Sequence, residues 1–366
     1  MKIAIVINTS WNVYNYRKGL IEAFLEKGWE VIAIAPPDPY SSKLEELGCS
    51  FVPIKMENKG MNPLSDLLLT VRFFRLYKKI RPDWILHYTI KPNVYGTLAA
   101  TVLHIPCVSN VSGLGTAFIR RGILMHVAKG LYRFAFRFPK RVLFQNPDDR
   151  DLFVSLKLLQ NEQTALLPGS GINLDAYQPR QIGPWTSFVF VLIARLLTDK
   201  GIREYAAASK KLKAEGHVFI AQLVGFFDRE SPYNISLEEI NDWQSNGVVD
   251  FLGQSEHIHA NIEAAHCVVL PSYREGTPRS LLEAMALGRP IITTNVPGCK
   301  EVIIDGGNGF VCEARDADGL ASAMRKMMTL PLHKLREMGE KGRKLVEEKF
   351  DEKLVIDKYF NEILGK

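Results

Sequence analysis

The chain has 366 residues, of which 46% are hydrophobic and 23% are charged, and its formal net charge is +6. This length and apolar content predict two domains of ordinary size and exclude a largely disordered chain. No apolar run reaches the roughly 18 to 20 residues that a membrane-spanning helix needs. The five scattered cysteines argue against a disulfide framework or a zinc site.

Short apolar stretches alternate with helical patterns in the first half of the chain. The apolar stretches predict strands at residues 3–8, 29–35, 51–54, 84–87, 106–110 and 142–145. The patterns between them predict helices at residues 15–27, 41–47 and 63–80. Strands that alternate with helices indicate βαβ units, and therefore a parallel sheet with helices on both faces.

A loop rich in glycine and proline at residues 166–187 interrupts this alternation, and we interpret it as an interdomain linker. After it, strands are predicted at residues 188–194, 218–224, 248–252, 267–270, 290–294 and 309–311. Helices are predicted at residues 201–215, 280–286, 317–328, 335–348 and 352–364. The sequence thus predicts two consecutive doubly wound α/β domains, at residues 1–180 and 181–349. Ligands of such domains bind beyond the carboxyl ends of the strands, here in the cleft between the domains.

The charge is spread unevenly between the two halves. Residues 1–180 carry 23 basic and 14 acidic side chains, a net +9, whereas residues 181–366 carry a net −3. No acidic residue lies between Asp83 and Asp148, a stretch that contains eight basic residues. A one-sided field of this kind favours an anionic partner such as phosphate, nucleic acid or an acidic membrane surface.

The strongest local motif is residues 272–284, Ser-Tyr-Arg-Glu-Gly-Thr-Pro-Arg-Ser-Leu-Leu-Glu-Ala. A predicted strand ends just before it and a helix begins near Ser280, so the N–H groups of the helix start offer a phosphate site. In a continuous helix Glu275 and Glu283 would be about 12 Å apart, whereas a retaining glycosidase needs its carboxylates at about 5 Å. They therefore fit separate parts of one ligand, such as the hydroxyls of two sugars. The alternative is that Glu275 caps a turn and Glu283 is a solvated helix residue.

Two cations follow the first predicted strand of the second domain. Arg195 and Lys200 would lie beyond its carboxyl end, where they could hold a diphosphate leaving group and neutralise the charge that develops during bond cleavage. The alternative is a pair of ordinary surface side chains.

Two loops follow strands within the acid-free stretch, at residues 91–96 and 111–116. Gly113 and Gly115 are not a dinucleotide fingerprint, because residue 118 is Phe, but they could let a ligand approach the backbone. His87 lies at a predicted strand end, where a lone histidine is either a base or, more commonly, a structural residue. The acidic pairs Asp149/Asp151 and Asp316/Asp318 fall where helices begin, so capping explains them better than metal binding, and we expect no metal site.

A basic segment with interleaved aromatic residues occupies residues 118–141, where seven Lys and Arg side chains occur. This pattern indicates a segment that lies in a membrane interface. The residues expected to contact an anionic membrane surface are Arg120, Arg121, Lys129, Arg133, Phe134 and Arg137. The alternative is a core helix with a basic outer face. We expect no nucleic-acid binding, since no motif for it is present.

With these segments in view, the whole chain resembles the retaining glycosyltransferases of family four. Glu275 and Glu283 match the family's two glutamates separated by seven residues, and Arg195 with Lys200 matches its basic pair. Residues 15–20, 88–93 and 113–118 are similar to bacterial members that extend polyprenyl-diphosphate-linked sugars, including N-acetylgalactosaminyltransferases acting on a bacillosamine-type acceptor. The resemblance implies a GT-B fold of two facing Rossmann-like domains with an interdomain cleft. The first domain would bind the acceptor and the second the nucleotide sugar, and residues 350–366 would form a helix that packs back on the first domain.

The resemblance also implies roles for individual residues. Arg195, Lys200 and Glu275 would be catalytic: the two cations grip the donor diphosphate, and the glutamate faces the hydroxyls of the donor sugar. The other donor contacts would come from Gly225, Leu252, Gly276, Thr277, Pro278 and, on the ribose, Glu283. The acceptor would be bound by Asn8, Tyr14, Arg17, Lys91, Asn93, Gly113, Gly115 and Thr116.

The function that follows from this resemblance is retaining, metal-independent transfer of an N-acetylhexosamine from a UDP-sugar to a polyprenyl-diphosphate-linked saccharide, with no cofactor. We expect it in the cytoplasm, peripherally attached to the inner face of the plasma membrane, in the assembly of a cell-surface or glycoprotein glycan. The chain departs from the family in two places: residues 8–12 (Asn-Thr-Ser-Trp-Asn) lack a glycine pair, and His87 is offset from the family's histidine. The alternatives are a UDP-sugar 2-epimerase of the same architecture and a non-catalytic nucleotide-sugar-binding protein.

Overall fold

The structure is a computed structural model that describes residues 1–57, 63–114, 123–228 and 231–365, with the backbone alone for residues 123–125. It divides into two units: Met1–Gly171 together with Glu352–Lys366, and Ile172–Asp351. The sequence predicted the divisions at residues 180 and 349. Ile172, however, is buried in the core of the second unit, and its N–H donates to the carbonyl of Phe350. Residues 172–180 and 350–351 therefore belong to the second unit.

The described part of the first unit contains a seven-stranded sheet whose neighbouring strands are all parallel. The strands are β1 Lys2–Val6, β2 Glu30–Ala35, β3 Ser50–Pro53, β4 Trp84–Tyr88, β5 Cys107–Val111, β6 Arg141–Phe144 and β7 Thr164–Leu166. The helices are α1 Ser10–Glu26, α2 Ser41–Glu46, α3 Pro63–Ile80, α4 Thr97–Val102, α5 Ile123–Ala135 and α6 Pro147–Ser155. The strand order β3-β2-β1-β4-β5-β6-β7 reverses direction between β1 and β4.

Both faces of this sheet are buried. Along β1, Ile3 and Ile5 pack into one apolar cluster, whereas Ala4 and Val6 pack into another. Successive side chains of a strand point to opposite faces, so each cluster covers one side of the sheet. A strand that is buried on both faces is a continuous apolar run, which is why the sequence pattern predicts it.

The described part of the second unit contains a six-stranded sheet, again with parallel neighbours, in the order β10-β9-β8-β11-β12-β13. The strands are β8 Phe188–Ile193, β9 Phe219–Val224, β10 Asp250–Gly253, β11 Cys267–Leu270, β12 Ile291–Thr294 and β13 Gly309–Cys312. The helices are α7 Ile202–Ala214, α8 Leu237–Ser245, α9 Ile258–Ala264, α10 Arg279–Ala286, α11 Ala317–Met328 and α12 Leu332–Lys349. The prediction of two Rossmann-like, doubly wound parallel-sheet domains is confirmed.

The last helix, α13 Glu352–Leu364, returns to the first unit. Val355, Tyr359 and Ile363 recur one helical turn apart and are buried in the apolar cluster that also contains Ile3 and Ile5. The hydroxyl of Tyr359 accepts a hydrogen bond from that of Tyr88, the last residue of β4, at 2.8 Å. This helix is therefore part of the first unit's core.

The predicted elements differ from the observed ones mainly at their ends, but the helices α4, α8 and α9 were not predicted. The helix α3 has the predicted bounds, but α1 begins at Ser10 instead of residue 15, because the Thr9 hydroxyl accepts from the N–H of Asn12 and caps it. The strand β7 was not predicted, since three residues are too few to show a periodic pattern. None of the helices in the described ranges is long and apolar enough to cross a membrane.

Candidate active site

The reversal of strand order in the second sheet marks the candidate site. β8 and β11 are neighbours, with β9 and β10 on one side of them and β12 and β13 on the other. At such a reversal the loops that leave the carboxyl ends diverge and open a crevice. The loop after β8 carries Arg195 and Lys200, and the loop after β11 carries Glu275. The topology therefore brings the three predicted catalytic residues to one edge of the sheet.

Lys200 and Glu275 form an ion pair at this edge. Their Nζ and Oε1 atoms are 2.5 Å apart, and the side chains are 13% and 15% exposed. The hydroxyl of Ser272 donates to the same carboxylate oxygen at 2.7 Å. Little water screens such a pair, so removing one partner leaves a poorly hydrated charge without compensation. Within the described ranges the ammonium group of Lys200 donates to Glu275, which leaves two of the three N–H donors of Lys200 for a ligand.

The two loops are held together through their backbones. The carbonyl of Asp199 accepts from the N–H of Tyr273 at 2.8 Å. Gly201 has a φ of +71°, and a Cβ at that position would lie 2.0 Å from the carbonyl oxygen of Pro271. Only glycine tolerates both the backbone conformation and the close approach. The distance between Lys200 and Glu275 is therefore fixed by loops that cannot easily separate.

Arg195 is more accessible than Lys200. Its side chain is 49% exposed, and its Nη1 lies 3.1 Å from Oδ2 of Asp228. An ion pair as exposed as this contributes little to stability. The guanidinium can therefore exchange its carboxylate partner for a phosphate group at small cost.

Glu283 lies in α10 and is hydrogen-bonded by its neighbours. Its side chain is 12% exposed. Its Oε1 accepts from the hydroxyl of Tyr177 and from Nε of Arg279, each at 3.0 Å. The alternative that Glu283 is a solvated helix residue is therefore wrong, because the surrounding protein supplies two donors that water would otherwise supply.

The other predicted donor residues lie along the same carboxyl edge. Gly225 follows β9, and a Cβ there would lie 2.0 Å from the carbonyl oxygen of Ala194, so glycine keeps this loop close to the loop after β8. Leu252, in β10, is partly exposed. Gly276, Thr277 and Pro278 connect Glu275 to α10, and Pro278 is its N-cap. The positive end of the α10 dipole therefore lies at this connection.

In the first unit the predicted acceptor residues Arg17 and Asn93 are buried. The guanidinium of Arg17 lies over the ring of Tyr88 at 4.4 Å, and its Nε has no hydrogen-bond partner among the described residues. The amide of Asn93 donates to the backbone carbonyl of Asn110 at 2.8 Å and accepts from its N–H at 3.2 Å. Tyr359 donates to the Asn110 side chain at 2.5 Å. These side chains form one buried polar network at the carboxyl edge of the first sheet.

The remaining predicted acceptor residues have different environments. Lys91 lies 3.0 Å from Asp66 in a largely buried ion pair. Asn8 and Tyr14 are half-buried, and Gly113 adopts a φ of +108°, which favours glycine. Gly115 and Thr116 lie outside the described residues.

His87 has the environment of a structural residue. It is fully buried, with Nε2 at 3.0 Å from the hydroxyl of Tyr77 and Nδ1 at 3.2 Å from that of Thr97. Burial lowers the pKa of His87 to about 3. Because no solvent reaches the ring and both nitrogens are engaged, the structural alternative describes it better than a role as base.

The basic segment has a core face and an exposed face. Tyr132, Ala135 and Phe136 are buried. Phe134 is 52% exposed, and it packs edge to face against the exposed Phe138 at 5.7 Å. Arg133 and Arg137 are also exposed, whereas Lys129 is half-buried and Arg120 and Arg121 lie outside the described residues. The segment therefore packs on the core and presents basic and aromatic side chains outward, as the core-helix alternative describes, while contact with a membrane stays a prediction.

Of the acidic residues predicted to cap helices, Asp316 does so, but the prediction is wrong for Asp149, which is fully buried and lies three residues after the N-cap of α6. Asp316 accepts from the N–H of Gly319 at 2.9 Å, as an N-cap does. Asn146 is the N-cap of α6, and its Oδ1 accepts from the N–H of Asp149 at 2.8 Å. Over the described ranges, no group of three or more His, Cys, Asp or Glu side chains is placed to hold a metal ion.

Three residues of the site were not predicted. Ser272 lay inside the motif but was given no role, and Tyr177 lay in the predicted linker, where no pattern points to it. Arg279 precedes Glu283 by four residues, a spacing that brings opposite charges together on a helix and could have identified it.

Comparisons with known proteins agree with this fold. The family model of glycosyl transferases group 1 matches residues 178–345, and that of glycosyl transferase 4-like proteins matches residues 2–146. The glycosyltransferase from Rickettsia africae ESF-5 superposes with a TM-score of 0.82 at 18% identity, covering 100% of this chain and 99% of that one. HepE from Anabaena, in complex with UDP and glucose, gives 0.81 at 20% identity with the same coverage.

Two bacterial enzymes are among the similar proteins of known activity. The N,N'-diacetylbacillosaminyl-diphospho-undecaprenol alpha-1,3-N-acetylgalactosaminyltransferase of Campylobacter jejuni is 28% identical over 98% of this chain and 97% of its own length. The UDP-Gal:alpha-D-GlcNAc-diphosphoundecaprenol alpha-1,3-galactosyltransferase of Escherichia coli is 25% identical over 75% of this chain and 73% of its own. With both family models matched in order along two Rossmann-like units, this chain belongs to the group 1, family-four-like glycosyltransferases of the GT-B fold.

Proposed function

We propose that this glycosyltransferase moves an N-acetylhexosamine from a UDP-sugar to a polyprenyl-diphosphate-linked saccharide, with retention of anomeric configuration and without a metal ion. The observation that carries the proposal is the poorly exposed Lys200–Glu275 pair at the strand reversal, with Glu283 on the adjoining helix. The names of the Campylobacter and Escherichia relatives, both transferases for diphospho-undecaprenol-linked sugars, support the choice of acceptor.

The reaction breaks the bond between the anomeric carbon and the diphosphate oxygen while an acceptor hydroxyl attacks from the same face. Negative charge then grows on the diphosphate, and the free N–H donors of Lys200 and the exposed guanidinium of Arg195 stabilise it. The departing diphosphate oxygen takes the acceptor's proton. Glu275, clamped by Lys200 and Ser272, orients the hydroxyls of the donor sugar.

The proposed metal independence rests on the charges at this edge. Lys200, Arg195 and the positive end of α10 together supply the charge neutralisation that a divalent cation supplies in other sugar transferases. We expect transfer to persist in excess EDTA, with activity within about twofold of the untreated enzyme.

On the acceptor side, exposure separates residues that can touch a saccharide from those that hold the loops. Asn8 follows β1 and Tyr14 lies in α1, and both are half-buried, so we propose these two residues as contacts of the acceptor. Arg17 and Asn93 are buried, so we assign them to the support of this edge. Lys91 is bound to Asp66 and supports the loop after β4.

We also propose that the exposed face of α5 and the following turn contacts the anionic inner surface of the plasma membrane. Phe134 and Phe138 would enter the interface while Arg133 and Arg137 meet lipid phosphates. Flotation with anionic liposomes tests this, and the double variant Phe134→Ser/Phe138→Ser should lose most of the bound fraction. Equal flotation of the variant and the native protein would contradict the assignment.

The test of the activity is a screen of UDP- and GDP-sugars with polyprenyl-diphosphate saccharides as acceptors. The expected product is extended by one sugar, and the coupling constant of its anomeric proton in NMR reports retention. Conversion of the donor in the absence of acceptor would indicate the epimerase instead. Binding of UDP with no release from any sugar, under every acceptor, would indicate a non-catalytic binding protein.

A further inference from the structure

The segment that precedes the second sheet is fixed against α10. The backbone carbonyl of Tyr177 accepts from Nη1 of Arg343 at 2.5 Å, and the same nitrogen donates to the carbonyl of Ala286, the last residue of α10, at 2.9 Å. The ring of Tyr177 packs on the core cluster around α10 and lies 5.4 Å from the ring of His259. Its backbone and its ring are therefore both held in place.

The hydroxyl of this ring reaches the carboxylate of Glu283. The Tyr177 hydroxyl and Nε of Arg279 each donate to Oε1 at 3.0 Å, so one carboxylate oxygen carries two donors. The other oxygen, Oε2, has no hydrogen-bond partner within the described ranges, and it is not a buried atom. One oxygen is thus used by the protein, while the other stays accessible to a ligand.

We infer that Tyr177 is a positioning residue for the donor: with Arg279 it holds Glu283 so that the second carboxylate oxygen binds the vicinal diol of a nucleoside diphosphate. This inference rests on the proposed function, because it takes the nucleotide sugar as the ligand at this edge. A carboxylate oxygen accepts from a diol hydroxyl only if the carboxylate does not rotate away, and donors on its partner oxygen prevent that rotation.

The environment of Tyr177 keeps its hydroxyl in the donor form. Burial, and then the charge of Glu283, raise the pKa of Tyr177 well above the usual range of tyrosine. The hydroxyl therefore stays protonated throughout the working pH range. A phenylalanine would keep the ring packing but would remove this donor.

The test compares UDP with 2′-deoxy-UDP and 3′-deoxy-UDP by titration calorimetry, using the native protein and Tyr177→Phe. The native protein should bind UDP about tenfold more tightly than at least one deoxy analogue, and in Tyr177→Phe that ratio should fall to about two. In turnover, the donor KM should rise about fivefold with kcat within twofold, because the chemistry at the diphosphate is unchanged.

The matched control is Tyr205→Phe in the same unit. Its hydroxyl lies 3.2 Å from the backbone carbonyls of Phe190 and Gln222. Tyr205 belongs to a different apolar cluster from the one on which Tyr177 packs. This variant should lose thermal stability but keep the native ratio of UDP to deoxy-UDP affinity. If Tyr177 had a merely structural role, Tyr177→Phe would likewise lose thermal stability and keep the native ratio of affinities.

The possible outcomes distinguish a failure of the inference from a failure of the proposed function on which it rests. An unchanged ratio in Tyr177→Phe, or a native protein that binds UDP and both deoxy analogues equally, overturns the inference alone. A native protein that binds no UDP overturns the proposed function as well. If Tyr177→Phe does not fold, Arg279→Gln removes the other donor to Oε1: a reduced ratio supports the inference and an unchanged one overturns it.

Discussion

The polar side chains at the carboxyl edges of the two sheets differ in their exposure and in their partners. In the second unit, Lys200, Glu275 and Arg195 remain partly accessible and are joined in small ion pairs with donors to spare. In the first unit, Arg17, Asn93 and their partners are sealed in a continuous hydrogen-bond network. An accessible pair can change partners when a ligand arrives, whereas a sealed network fixes the shape of a surface. We therefore expect mutations in the second unit to act on chemistry and those in the first to act on stability and acceptor binding.

The largest expected effect is that of Lys200→Ala. It removes two donors to the leaving group and leaves Glu275 without its partner, so kcat should fall by about 10³-fold, and the thermal midpoint should also drop. Activity assays and thermal melts of Lys200→Ala and of the control Lys211→Ala measure both effects. Lys211 is an exposed residue of α7 paired with Asp318, and its variant should remain near native. Near-full activity of Lys200→Ala would contradict the role of Lys200 at the leaving group, and with it the expectation that mutations in the second unit act on chemistry.

Arg195→Ala should affect chemistry with little effect on stability. The side chain is half-exposed, so loss of its pair with Asp228 should change the free energy of unfolding by less than about 1 kcal/mol. Its loss from the leaving-group site should lower kcat by about 10²-fold. The same melts and assays apply, and a fall in stability as large as that of Lys200→Ala would show that exposure does not distinguish the two cations.

Asn93→Ala should have the opposite profile. It leaves the backbone N–H and carbonyl of Asn110 without their buried partner, so the free energy of unfolding should fall by about 1–3 kcal/mol. The acceptor KM should rise while the UDP dissociation constant stays within twofold. Urea unfolding and calorimetry measure the two quantities, and an equal loss of UDP affinity would contradict the separation of roles.

The smallest expected effect is a pH dependence carried by His87. Its folded pKa of about 3 lies below the unfolded value of 6.5, so the unfolded state binds more protons between these values. The free energy of unfolding is therefore unaffected by the titration of His87 above pH 6.5 and decreases as the pH falls toward 3. Between pH 7 and pH 5 the loss should be about 2 kcal/mol.

The variant His87→Gln should lack this part of the pH dependence. Urea unfolding at the two pH values measures it, with His333→Gln, at an exposed histidine of the second unit, as the control. If the slope of His87→Gln equals that of the native protein, the histidine is not the group that titrates.

The fold could be predicted because its strands are buried on both faces. Residues 3–6 of β1 and all of β8 are apolar, and the helices between the strands have clear ends, as α3 does. Some short elements escaped prediction: β7 has three residues, and the helices α4, α8 and α9 have six, nine and seven, too few to show a clear periodic pattern. The division between the units also escaped, because Ile172 is assigned by its burial among residues far along the chain and not by its neighbours in sequence.

The residue pattern alone was enough to identify the motif that contains Glu275 and Glu283 and the basic residues that follow β8, because these signals are local and lie at strand ends. The three-dimensional packing was needed to show that Lys200 pairs with Glu275, that Tyr177 reaches the oxygen of Glu283 that Arg279 also binds, and that His87 is buried away from solvent. Each of these facts depends on groups brought together from distant parts of the chain. Partnership and burial are properties of such packing, and no local pattern of residue types contains them.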